Sequence, residues 1–84
     1  MKPVCVESWL TYLKEYPDFT GCLINKHNDA AWYQVGLIHR EDGPAVVWAG
    51  GTKAYYLHGA YYNEQEWLVV VRRIKLERIL GKIA

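Results

Sequence analysis

The stretch Ala45-Val46-Val47-Trp48-Ala49-Gly50-Gly51-Thr52-Lys53-Ala54-Tyr55-Tyr56-Leu57 decides the fold class. Two runs rich in β-branched and aromatic residues flank Gly50-Gly51, a dipeptide free to take the positive φ angles of a tight turn. The spacing predicts an antiparallel hairpin. Sliding the chain by 23 positions, the separation of Gly36 from Gly59, lays Tyr16–Gly36 over His39–Gly59 without a gap. Tyr33 then falls on Tyr56, Trp32 on Tyr55, Ala31 on Ala54, Leu23-Ile24 on Val46-Val47, and His27-Asn28 on the Gly50-Gly51 turn. A period in the twenties suits a small unit that cannot bury its face alone. Two hairpins, 16–36 and 39–59, are therefore expected as copies.

Outward from the hairpins the period becomes helical. Val6, Trp9, Leu10, Leu13 and Tyr16 follow helical spacing until Pro17 forbids continuation, so a helix is expected over 6–16. Asn63 can cap a second helix, with Glu66 three residues on as in a capping box and Tyr62 able to staple to Trp67. That helix is expected over 64–80, ending near Gly81. The expected fold class is α+β: an N-terminal helix, two consecutive antiparallel hairpins making four strands, and a C-terminal helix packed on one sheet face, with no parallel pairing.

Composition bounds the class of function. The 84 residues allow one domain, 51% hydrophobic and 23% charged, the mixture of a packed globular chain rather than a disordered one. Four Trp, seven Tyr and one Phe must supply much of the core. Ten Lys and Arg against nine Asp and Glu leave +1, which excludes a strongly cationic nucleic-acid binder or an acidic DNA mimic on total charge. Glu7 precedes any apolar core of signal-peptide length, and no run approaches a membrane span, so a cytoplasmic protein without membrane contact is expected. Cys5 and Cys22 are expected to stay reduced.

Trp32-Tyr33-x-x-Gly36-x-x-His39-Arg40-Glu41-Asp42-Gly43-Pro44-Ala45, then Gly51-Thr52-Lys53-x-Tyr55-Tyr56-x-x-Gly59, resembles a repeat of small bacteriophage and large-virus proteins grouped loosely with the MORN-like repeats. The match covers about residues 32 to 67. The resemblance implies β-hairpin units, a final unit running into a short acidic-capped helix, and a phage or prophage origin, hence the cytoplasm of a bacterial host. This chain departs from the pattern at Val35 and Gly50, and its first unit lacks the His-Arg-Glu-Asp string.

His39-Arg40-Glu41-Asp42 groups the residue types of acid–base work. Neighbours on a turn point in different directions, however, and turn architecture is the stronger reading: Asp42 accepting backbone N–H groups, Gly43 supplying an unusual φ, Pro44 stiffening the next strand, with His39 and the Gly50-Gly51 turn as structural companions. Cys22, His27, His39 and His58 match no zinc spacing, and no phosphate loop is present, so neither metal nor cofactor is expected and the protein is read as non-enzymatic.

Adjacent aromatic pairs such as Tyr55-Tyr56 must point to opposite sheet faces, so aromatics line both. One face packs against helix, and the other needs a partner. The expected protein-binding surface is the outward aromatic face around Tyr33, Tyr56 and Tyr61 with Arg72, Arg73 and Arg78, because aromatic and Arg side chains carry most hot-spot energy. The expected function is a stoichiometric binder of a host protein or complex, with inhibition of a defence complex such as CRISPR-Cas as its most economical version. A single-stranded nucleic-acid module using the same aromatics and the basic end of the last helix is the alternative, and a second copy of the chain is a further expected partner.

Overall fold

The computed structural model describes residues 3–83, so Met1, Lys2 and Ala84 lie outside the described residues. In chain order the elements are β1 (Val4–Cys5), α1 (Trp9–Glu15), β2 (Gly21–Ile24), β3 (Ala30–Gln34), β4 (Leu37–Ile38), β5 (Val46–Val47), β6 (Lys53–Leu57), β7 (Ala60–Tyr62) and α2 (Glu64–Ile83).

The α+β class holds, but the four-strand, two-hairpin description does not. Among the described residues the sheet has seven strands in the order β1-β2-β3-β5-β6-β7, with β4 also beside β3, and it is mixed. Val4 and Cys5 pair parallel to Leu23 and Ile24, and the Val6 N–H donates to the Ile24 carbonyl at 2.8 Å. Residue 6 thus continues the ladder, and α1 starts at Trp9 as the crossover that a parallel pair requires. A strand of two residues has no readable period, which is why the helical pattern absorbed it. The hairpins also run on: β3 and β6 each meet a second tight turn, at Val35-Gly36 and His58-Gly59, and fold back as β4 and β7.

The two halves share one geometry. Ala30 lies 23 positions before Lys53, and Gln34 lies the same distance before Leu57, so β3 and β6 coincide end to end. Leu23↔Ala31 answers Val46↔Ala54, and Tyr33↔Ile38 answers Tyr56↔Tyr61. Positive φ recurs as well: Asn28 (66°), Val35 (48°) and Gly36 (81°) match Gly51 (95°), His58 (51°) and Gly59 (84°). The ungapped overlay fails only at its start. The turn N–H groups of Val35 and Gly36 donate to Thr20 Oγ1 and the Phe19 carbonyl, and those of His58 and Gly59 donate to His39 Nδ1 and the Ile38 carbonyl. Phe19-Thr20 therefore corresponds to Ile38-His39, and Arg40–Gly43 is an insertion carried only by the second unit.

Gly36 is fixed by space as well as by φ, because a Cβ there would collide with the Pro17 carbonyl oxygen. That contact seats the first turn against the chain leaving α1.

Each sheet face has its own helix. On one side Leu23, Ala31, Tyr33, Val46 and Ala54 form a buried cluster joined by Trp9, Tyr12 and Leu13 of α1, with Val4, Phe19 and Tyr56. On the other, Leu57 packs with Trp67 and Val71 of α2, flanked by Tyr55, Tyr62, Val70 and Ile74. The expected single helix-covered face is thus corrected to two, because strand alternation sends Tyr56 to α1 and Tyr55 to α2.

Candidate functional site

The inserted segment Arg40–Gly43 ties the sheet to α2. His39 is buried, at 7% exposure. Its Nδ1 accepts the His58 N–H at 2.9 Å, so the ring proton resides on Nε2, which faces Glu41 Oε2 at 2.9 Å. Glu41 also receives both terminal nitrogens of Arg78, at 2.5 and 2.8 Å. This fork, followed by the His39 hydrogen bond, outweighs desolvation and holds the Glu41 carboxyl down to about 2. The Arg40 guanidinium lies 3.9 Å from the centre of the Trp32 ring and donates to the Pro44 carbonyl, while the Arg40 carbonyl accepts Trp67 Nε1 at 3.0 Å.

The residue types of acid–base chemistry are thereby committed to intramolecular partners. Both nitrogens of His39 and both oxygens of Glu41 are engaged. Two assigned turn roles are corrected. Asp42 faces Lys75 Nζ at 3.7 Å rather than backbone N–H groups, and both side chains are well exposed. Gly43 has no positive φ; it lies under the Arg40 guanidinium, where a Cβ would stand 3.4 Å from Cζ. In the Gly50-Gly51 turn only Gly51 has positive φ, and its N–H closes the turn onto the Trp48 carbonyl at 2.8 Å.

The expected aromatic contact face is largely closed. Tyr33 is 6% exposed and belongs to the core under α1, so it is no contact residue. Tyr56 packs against the same cluster and meets Tyr61 edge to face, with ring centres 5.6 Å apart. Tyr55 stacks on Trp67 and donates its hydroxyl to Glu64 at 2.6 Å. Of these tyrosines only Tyr61, at 65%, projects into solvent. Arg78 is held by Glu41, whereas Arg72 and Arg73 are exposed on α2. The side chain of Lys82 lies outside the described residues.

A surface that the sequence reading missed lies on the opposite side of α2. Asn63 caps the helix, accepting the Glu66 N–H at 2.8 Å while Glu66 Oε1 receives the Asn63 N–H. Trp67, Val71 and Ile74 turn toward the sheet. At 3.6 residues per turn Leu76 projects roughly 180° from Trp67. Around it Leu68, Val69, Ile79 and Leu80 are all about half exposed, with Arg72 among them. Leu68, Val71, Arg72, Lys75, Leu76 and Ile79 line a shallow apolar groove. The helix is apolar on two opposite sides, a pattern visible in the spacing of these residues but eclipsed by the core-facing stripe.

Cys5 is exposed and Cys22 buried, both as free thiols, and burial raises the Cys22 pKa against the opposing pull of Arg40. Among the described residues no helix is long and apolar enough to cross a membrane, and no group of three or more His, Cys, Asp and Glu side chains converges as a metal would need. Comparison with family models, with curated proteins and with solved structures finds no match to this chain.

Proposed function

We propose that this chain is a non-catalytic, stoichiometric protein-binding module whose contact surface is the outward side of α2. The observation that carries the reading is the row Leu68, Val69, Leu76, Ile79 and Leu80, half exposed and interleaved with Arg72 and Arg73. Contiguous apolar surface of this kind, rimmed by Arg, is what protein interfaces favour and monomer surfaces avoid. The partner class is a host protein or complex, and a bacterial defence complex such as CRISPR-Cas is the finer proposal, resting on the phage-type repeat.

Single-strand nucleic-acid binding has less support, because the rings of Trp32, Tyr55, Tyr33 and Tyr56 are engaged by Arg40, Trp67 and the core, which leaves only Tyr61 and Trp48 of the expected stacking platform exposed among the described residues. Affinity capture from nuclease-treated bacterial lysate separates the two. The binder reading expects one host protein or complex retained at fixed stoichiometry and weakened only modestly by salt. Recovery of nucleic acid alone from untreated lysate, with a steep log-linear salt dependence, would reject it.

A further inference from the structure

We infer that the free protein is a homodimer in which two α2 helices pack antiparallel through their outward sides. The inference rests on the protein-binding reading of that surface and names its first occupant, a second copy of this chain.

Three observations favour a second copy. The five half-exposed side chains offer on the order of 500 Å² of apolar surface, and the stems of Arg72 and Arg73 carry it toward the ~800 Å² per partner of a standard interface. Val69, Arg72, Leu76 and Ile79 follow the alternating three- and four-residue spacing of a helix-pairing seam. Charge then selects the direction. In a parallel pair the two Arg72 side chains would face each other inside the seam. In an antiparallel pair with the two-fold axis beside Lys75-Leu76 they stand on the order of 10 Å apart along the helices, at 1.5 Å rise per residue. The same axis brings Arg73 of one copy to within one residue, about 1.5 Å along the helices, of Glu77 of the other, twice. It also opposes the two helix dipoles.

Dimerisation would cover the apolar row in the free protein, so target capture and self-association compete for one surface. Sedimentation equilibrium of the intact chain from micromolar to millimolar concentration tests this. The expected result is twice the 9.8 kDa chain mass. Leu76→Glu should sediment as a monomer with unchanged far-ultraviolet circular dichroism, and Leu80→Glu serves the same purpose if that variant fails to fold. In a Cys5→Ser background, oxidised Leu76→Cys should form a covalent dimer and Val69→Cys should not, because Val69 is remote from its own copy across the axis. A monomeric wild type overturns the inference, including one that binds anionic vesicles through α2, which assigns the face to a lipid surface. A dimer indifferent to both Glu substitutions, or one locked by Val69→Cys, overturns it as well. A monomer that still captures a host protein refutes the dimer alone. A dimer whose target capture ignores Leu68 and Ile79 refutes the proposed contact surface alone.

Discussion

His39 receives the backbone N–H of His58 through Nδ1 at 2.9 Å, the same service that Thr20 Oγ1 performs for Val35 in the other half of the sheet. One turn geometry is thus stabilised twice by different chemistry. The His39 bond is partly buried, on a buried ring, and the Thr20 bond is exposed, which separates their energetic weights. His39→Ala leaves the His58 N–H without its acceptor, takes one donor from Glu41, which keeps Arg78, and opens a cavity, so a loss of about 2–4 kcal/mol is expected. Thr20→Ala lets water replace the hydroxyl and should cost about 0.5–1 kcal/mol. Urea unfolding of both variants checks this, and equal losses would contradict it.

Glu41 supplies a pH dependence. Its pKa of about 2 lies below the ordinary 4.5, so the charge contributes stability that is fully present above about pH 4.5 and is lost as pH falls through about 2. Thermal unfolding between these limits should show the wild type losing stability faster than Glu41→Gln, which keeps an acceptor for His39 but carries no charge. Parallel curves would show that the Arg78 fork has no weight in the fold.

Gly36 and Gly59 occupy matching turns with φ of 81° and 84°, but their surroundings differ. Gly59→Ala meets only the flexible Leu37 side chain, so the backbone conformation alone should cost about 1–2 kcal/mol. Gly36→Ala must also displace the Pro17 carbonyl and should cost more than about 3 kcal/mol. Chemical denaturation ranks the two, and a reversed order would remove the role given to the Pro17 contact.

The repeat, the hairpin turns and the capped last helix were legible because each is written in local chemistry: Gly at turns, alternation in strands, Asn63 with Glu66 at a cap. What was not legible is long-range. Nothing in Val4-Cys5 announces a parallel partner across α1, since pairing is decided by the crossover rather than by two residues. Local spacing does not distinguish Tyr33 and Tyr56 from surface aromatics, because their burial comes from the core cluster that α1 joins on that face. The outward row of α2 was present in the spacing, but which of two apolar sides meets the sheet depends on where Trp67 finds the Arg40 carbonyl.

Thiol chemistry should divide the cysteines cleanly. Cys5 is exposed and should react with a disulfide reagent in the native state, whereas Cys22, buried and with its thiol pKa raised, should react only on unfolding. Two fast thiols without denaturant would place Cys22 nearer solvent than its 5% exposure implies.

The most direct test of the central claim is capture from nuclease-treated lysate with wild type and Ile79→Glu side by side, the latter a solvent-facing change that leaves Trp67, Val71 and the Glu41–Arg78 fork in place. The account predicts a stoichiometric host protein on the wild type and at least a tenfold loss on the variant, with the two proteins equally stable to urea. The same protein retained equally by both would contradict it.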